Sequence, residues 1–361
     1  MKMSVLVLPG DGIGTEVTRE AVRVLECVAA KFGHELTLHE GLLGGIAIHK
    51  TGTPFPKETE ALAHEADATL LGAVGLPEFD DAPPHLRPEK GLLGIRKALG
   101  VYANLRPVRS FRSLLDSSPL KNERVDGVDM IIVRELNGGL YYGQPRGVEG
   151  EGAEERGTNT MTYTRAEIQR ITRMAFQLAA NRRKKVTSVD KSNVLETSQL
   201  WRKVVNEVAT EFPDVTCEHL LVDNAAMQLI LNPKQFDVML TENMFGDILS
   251  DEGSVLSGSI GMLPSASIGA VRPNGAFTGL YEPVHGSAPD IAGQNKANPL
   301  GAIGSVAAML EYSFQLLEEA AAVNRAIDAV LDSGKVTADL RPKGTPASTS
   351  EVGTAICDAI G

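Results

Sequence analysis

The chain has 361 residues, 43% hydrophobic and 22% charged, the make-up of a soluble globular protein too long for one ordinary core. With 46 acidic against 35 basic residues the net charge is −11, which argues against a nucleic-acid partner, because phosphate backbones need a basic face. Cys27, Cys217 and Cys357 are scattered and odd in number, without a CxxC or Cys/His cluster, so a disulfide framework and a structural zinc site are both unsupported and a reducing, cytoplasmic setting is expected.

In chain order, "SVLVLPG" (4–10) reads as a first strand, since it leads into a glycine turn rather than a cleavage site. "GTEVTREAVRVLECVAAKF" follows with Val17, Ala21, Val24, Leu25 and Val28 at helical spacing. "ATLLGAVG", "VDMIIVREL", "KVTSVDKSN", "EHLLVDNAA" and "FDVMLTEN" are further strand candidates. Several are separated by helix-length stretches such as "TRAEIQRITRMAFQLAANRR" and "ETSQLWRKVVNEVATEF". This alternation predicts an α/β fold with a substantially parallel sheet. The glycine-rich, charged segment 143–160 reads as a protruding loop or arm, and the uncharged window 253–271 is too rich in Gly, Ser and Pro to span a membrane.

Polar residues fall at the ends of the apolar runs. "IIV" runs into Arg134, "VTSV" into Asp190 and Lys191, "LLV" into Asp223, and "VML" into Thr241, Glu242 and Asn243. In open α/β sheets ligands bind beyond the carboxyl ends of the strands, so four such ends together predict one shared polar site. "NMFGDILSDE" places Asp247 and Asp251 one helical turn apart on one face. With Asp223 they offer three carboxylates to a hard divalent cation, Mg²⁺ or Mn²⁺ rather than Zn²⁺, because neither His nor Cys is nearby in sequence. Two acids at that spacing equally describe a solvated helix face. Arg96, Arg106, Arg109 and Arg134 are candidates for gripping a dicarboxylate, as guanidinium forks bind carboxylates bidentately. Tyr141 and Lys191 are candidate proton carriers; a lysine beside other positive charge gives up its proton more readily.

Cofactor signals are mixed. "GDGIG" (10–14) follows a strand, but its glycines are spaced GxGxG, so the dinucleotide fingerprint fails even though Glu35 and Glu40 stand near a ribose-binding distance. No GK[ST] supports a P-loop. "YEPVHGSAPDIAGQNKANP" (281–299), with His285 and Asp290, is a long polar stretch of the kind that binds something.

Together "GDGIG", "LLGAVG", "RPEKGLLGIRK", "ANLRPV", "VRELNGGLYYGQPRG", "SVDKSNVLE", "VDNAAMQL", "NMFGDILSDE", "GMLPSAS" and "EPVHGSAPDIAG" resemble the β-decarboxylating dehydrogenases, the family of isocitrate and isopropylmalate dehydrogenases, nearly end to end. The resemblance implies that fold, two α/β domains sharing a large mixed sheet and not a Rossmann fold. Domain one would comprise 1–101 and 258–361 and bind NAD; domain two would comprise 102–257, with a dimer arm near 138–162. It implies that Arg96, Arg106 and Arg134 hold substrate carboxylates, that Asp223, Asp247 and Asp251 take Mg²⁺ or Mn²⁺, with Asp223 also near substrate, and that Tyr141 and Lys191 are the acid/base pair. Lys191 and Asp223 would reach the site from the partner subunit of a homodimer. Leu92 and Leu93 stand where isocitrate-specific members carry polar residues, and leucines pack an isopropyl group but bury a third carboxylate only at a cost of several kcal/mol.

For the cofactor the resemblance implies contacts from Ile13, Gly75, Glu89, Glu282, His285, Gly286, Ser287, Ala288, Asp290, Ile291 and Asn298. A carboxylate at Asp290 accepts from ribose hydroxyls and repels a 2′-phosphate, which favours NAD over NADP. Asn137 and Glu242 depart from common family residues. The implied reaction is NAD-dependent oxidative decarboxylation of (2R,3S)-3-isopropylmalate to 4-methyl-2-oxopentanoate and CO2, a step of leucine synthesis. Rival readings are a relative acting on D-malate, tartrate or homoisocitrate, and a non-catalytic metal-binding interaction protein.

Overall fold

The computed structural model describes residues 1–361, which form two compact units: Met1–Val101, Ser110–Asn122 and Ser254–Gly361 make unit 1, and Tyr102–Arg109 with Glu123–Gly253 make unit 2. The chain is α/β with a large mixed sheet. No helix is long and apolar enough to cross a membrane.

In unit 1 the strand order is Glu35–Glu40, Lys2–Gly10, Ala68–Ala73, Phe277–Pro283 and Pro264–Val271. Val5, Leu6, Val7 and Leu8 are buried in succession, as expected of a parallel strand covered on both faces. The helix Gly14–Phe32 buries Val17, Ala21, Val24, Leu25 and Val28, the stripe its spacing predicts, and ends at Gly33 in the left-handed conformation (φ 71°). Helix Leu300–Tyr312 is apolar nearly all round and packs between Gly14–Phe32 and Leu317–Asp332.

In unit 2 the order is Ala103–Arg109, Asp129–Glu135, Val238–Thr241, Lys185–Asp190 and Thr216–Leu221. Helices Arg165–Ala180 and Glu196–Ala209 cover it, the first opened by a Thr164/Glu167 capping box. Register decides where the polar ends fall. Thr241 lies opposite Arg134 on one side and Val189 on the other, so the strand ends bearing Arg134, Asp190 and Glu242 come level.

The sheet is less parallel than the alternation suggests. Pro264–Val271 pairs antiparallel with Phe277–Pro283, and Ala103–Arg109 antiparallel with Asp129–Glu135. The first pair is joined by a short turn, which only antiparallel strands permit. Segment 143–160 contains a small antiparallel ribbon, Gly147–Glu149 with Arg156–Thr158, whose side chains are largely exposed.

Candidate active site

In unit 2 the helix Asn243–Ser254 starts directly beyond the strand Val238–Thr241, and it carries Asp247 and Asp251 one turn apart. Arg134, buried at its strand end, forms an ion pair with Asp247. The Tyr141 hydroxyl donates to Asp247 Oδ2 at 2.8 Å. Arg106, also buried, lies 3.6 Å from both Asp247 Oδ1 and Asp251 Oδ1 and is steadied by Asn104 at 2.7 Å and by the Ser250 hydroxyl. These groups explain how two like charges tolerate one helix face: the guanidinium groups offset them. Burial pushes the Asp251 carboxyl up while Arg106 opposes the rise. Burial first, and then Asp247, pushes the Tyr141 hydroxyl up to about 12, so it remains a proton donor at neutral pH.

Lys191 and Asp223 form a separate pair, Nζ to Oδ1 at 2.6 Å. Asp223 occupies the first turn of helix Val222–Leu231, and the Lys191 ammonium holds its carboxyl below the usual range. No three acids, histidines or cysteines of the one chain cluster as a metal site. The Asp247/Asp251 pair nevertheless fits a hard cation: the donors are all oxygen, they share one helix face, and Asp251 is exposed.

In unit 1 Arg96 lies on the helix Glu89–Ala98, buried and ion-paired with Glu282, and its Nε is buried with no partner. Leu92 on the same helix packs against a cluster that includes Leu43, Ile95 and Leu280; Leu93 is half-buried. The loop 10–14 meets the stretch after Phe277–Pro283 through Ile13 N–H donating to Ser287 O at 2.8 Å. Any Cβ at Gly12 would sit 2.1 Å from Ser287 O, so the close approach requires glycine. At Gly75 (φ +132°) a Cβ would lie 3.4 Å from Ser287 Oγ and 3.6 Å from Glu89 Oε1, which brings those three together. Asp11 fixes this corner by accepting from the N–H groups of Gly45, Ile46 and Gly75, each at 2.8 Å.

A Cβ on Gly286 would point into open space, and His285 Nε2 is buried without a partner. An exposed glycine beside an orphaned imidazole nitrogen suits a planar polar ligand such as a nucleotide. Burial holds His285 below its ordinary value, which keeps the ring neutral. Ala288 and Ile291 form the next turn, where Ile291 N–H donates to Ala288 O at 3.1 Å, and Asp290 is exposed. Asn298 is buried, its amide committed to Asp339 at 3.0 Å and to Leu300 N–H at 3.0 Å. Arg109, a further candidate for the carboxylates, ends its strand half-buried.

Sequence reading did not assign roles to Asn243, Tyr163 and Glu135. Asn243 Oδ1 accepts from Arg134 Nε at 3.0 Å and Nη2 at 2.9 Å. Glu135 is fully buried and accepts from the N–H groups of Asn137 and Gly138. Asn243 follows the apolar run "VML" at a strand end, whereas Tyr163 sits in a segment without periodicity.

Unit 2 carries a strand-end site with helix-borne acids and clustered arginines, unit 1 a glycine-lined loop, and comparison with known proteins makes the class specific. The family model described as "Isocitrate/isopropylmalate dehydrogenase" matches residues 4–356, and the chain belongs to that family. The chain is 62% identical over 359 residues, 98% of its length and 95% of the relative's, to the "3-isopropylmalate dehydrogenase" of Geobacillus kaustophilus. It is 58% identical over 362 residues, 99% of its length and 98% of the relative's, to the protein of the same name from Bacillus subtilis. Among solved structures it is similar to an isocitrate dehydrogenase from Methylococcus capsulatus, with TM-score 0.87, 34% identity and 99% of both chains covered.

Proposed function

We propose that the protein is an NAD-dependent enzyme that oxidises and decarboxylates (2R,3S)-3-isopropylmalate to 4-methyl-2-oxopentanoate and CO2, within leucine synthesis. The observation that carries the reading is the convergence on Asp247 of a proton donor, Tyr141, and a buried carboxylate-binding group, Arg134, beside a second acid one turn away. Near-full-length similarity to relatives named for this activity supports the substrate choice.

Arg96, Arg106 and Arg134 hold the two carboxylates of the substrate, and Leu92 and Leu93 face its isopropyl group. Asp223, Asp247 and Asp251 hold Mg²⁺ or Mn²⁺. Ile13, Gly75, Glu89, Glu282, His285, Gly286, Ser287, Ala288, Asp290, Ile291 and Asn298 form the surroundings of NAD. When bound, the divalent ion supplies Lewis-acid polarisation at C2 and NAD⁺ supplies the hydride acceptor. Lys191, in its neutral amine form, takes the C2 hydroxyl proton at Nζ and becomes the ammonium as hydride leaves that carbon. The β-carboxylate departs as CO2, and Tyr141 returns a proton to C3 from Oη. The arginines offset the negative charge that develops between these events.

Lys191 and Asp223 act across a homodimer in this reading. Met227, Ile230 and Leu231 on the Asp223 helix, and Ile248 on the Asp247 helix, are large apolar side chains left exposed in the single chain. Burying them against a second copy would bring that copy's Asp223 within the same surface. Three free thiols agree with a cytoplasmic location.

Formation of NADH, followed by absorbance with NAD⁺ and Mn²⁺ over a panel of 2-hydroxy acids, tests the proposal. Fastest turnover is expected on 3-isopropylmalate. Faster turnover on D-malate, tartrate or homoisocitrate would refute the substrate choice, and no turnover on any would refute the enzyme reading.

A further inference from the structure

Behind Arg134 and Tyr141 lies a buried polar chain. Asn243 turns its amide oxygen to the Arg134 guanidinium and its amide nitrogen to the carbonyls of Leu136 and Gly138, both at 3.2 Å. The backbone N–H of Asn243 donates to the Tyr163 hydroxyl at 2.9 Å, and that hydroxyl donates to Glu242 Oε2 at 3.0 Å. Glu242 Oε1 accepts from Phe245 N–H at 2.6 Å, so the carboxylate also closes the first turn of the helix bearing Asp247. Tyr163, Glu242 and Asn243 are all buried.

The Tyr163 ring makes a second contact. Cβ atoms built at Gly138 and Gly139 would fall 2.5 Å from its Cε1 and 2.3 Å from its hydroxyl oxygen. The segment leading to Tyr141 therefore runs hard against this ring, and only glycines permit it. Trp201 also packs against the ring in a T-shaped arrangement, with centroids 5.6 Å apart.

We propose that Tyr163 is a positioning residue that sets two groups at once, Arg134 through Asn243 and Tyr141 through the Gly138–Gly139 contact, with Glu242 fixing its hydroxyl. The inference rests on the reading of Arg134 and Tyr141 as substrate-handling residues. A hydroxyl locked between a donor N–H and a buried carboxylate has one orientation available, and the residue whose backbone it anchors, Asn243, has its side-chain amide engaged by Arg134, Leu136 and Gly138. Fixed partners of this kind hold a guanidinium within the narrow range that productive carboxylate binding requires. Burial and Glu242 both push the Tyr163 hydroxyl far above its ordinary value, so it stays a donor throughout the working range.

The test compares Tyr163→Phe, Arg134→Lys and the double variant in the intact enzyme, with KM and kcat measured separately for substrate and NAD⁺. Tyr163→Phe keeps the ring and removes the hydroxyl alone. Its KM for the hydroxy acid is expected to rise about tenfold, the effect of one charge-linked hydrogen bond, with KM for NAD⁺ unchanged. In the Arg134→Lys background it is expected to add no further rise in KM, because the group it positions is already lost. An unchanged KM in Tyr163→Phe while Arg134→Lys raises it, or additive losses in the double variant, would overturn the positioning role and leave the site reading intact. An Arg134→Lys enzyme with normal KM would instead sink the site reading, and the inference with it. Glu242→Ala provides a second route to the same hydroxyl and is expected to raise the same KM; a fall in thermal stability with no change in KM would mark both residues as merely structural.

Discussion

The Arg134 guanidinium lies over the Tyr141 ring, 5.7 Å from its centroid, while both groups reach the same carboxylate, Asp247. The tyrosine is thus held by a cation against its face and an acceptor at its hydroxyl, an arrangement that fixes where its proton points. Tyr141→Phe keeps the ring contact and removes only the proton. Turnover on 3-isopropylmalate is expected to fall by roughly 10²–10⁴-fold, the usual worth of a positioned acid, while the melting temperature changes little. Steady-state NADH formation and a thermal scan check both halves. A turnover near that of the unaltered enzyme would remove Tyr141 from the acid role.

Specificity is a separate matter of apolar surface. Leu92 packs on the unit 1 core beside Ile95, so its side chain is held rather than free to adapt. Leu92→Ser is expected to lower kcat/KM for 3-isopropylmalate roughly tenfold or more, since a lost alkyl contact costs about 1–3 kcal/mol. D-malate, which lacks the branched alkyl group, is expected to lose much less. Equal losses on the two substrates would show that Leu92 acts through the fold and not through the isopropyl group.

Glu135 makes a pH-dependent contribution to stability. Burial raises its carboxyl from an ordinary 4.5 to about 6, against the opposing N–H groups of Asn137 and Gly138 and the Arg170 guanidinium. Between those values the folded chain retains a proton that the unfolded chain has released. The contribution is therefore fully present below 4.5 and is lost as pH rises through about 6, an effect on the order of 2 kcal/mol. Urea unfolding of the unaltered protein and of Glu135→Gln, from pH 4 to pH 7, reads it as a difference between the two. That difference should shift against the unaltered protein as pH rises; a flat difference would contradict the assignment.

Much of the architecture was legible because it depends on local pattern. Val17, Ala21, Val24, Leu25 and Val28 were one face of a helix, and Arg134, Asp190 and Thr241 closed strands whose register then placed them level. The antiparallel strands were harder to read. "ANLRPVR" interrupts its apolar residues with arginine and proline, and "PSASIGAV" is built from small residues, so neither has a clear period. The network behind Arg134 was illegible for another reason. Tyr163, Glu242 and Asn243 meet only when strand ends and a loop from different parts of the chain are brought together, and a buried acid such as Glu135 looks like any surface glutamate until its N–H donors are known.

In the proposed dimer one chain supplies Tyr141, Asp247 and Asp251 while its partner supplies Lys191 and Asp223. Within a chain Lys191 and Asp223 already pair at 2.6 Å, and no third acid joins them. Subunit complementation measures this directly. A hybrid dimer is assembled from one Lys191→Met chain and one Tyr141→Phe chain, carrying different affinity tags, and its NADH production is compared with that of each parent homodimer. Sharing across the dimer puts both lesions in one site and leaves the other whole, so the hybrid is expected to recover about half the activity of the unaltered dimer. A hybrid as inactive as its parents would mean that each site draws both residues from its own chain, and would contradict the account.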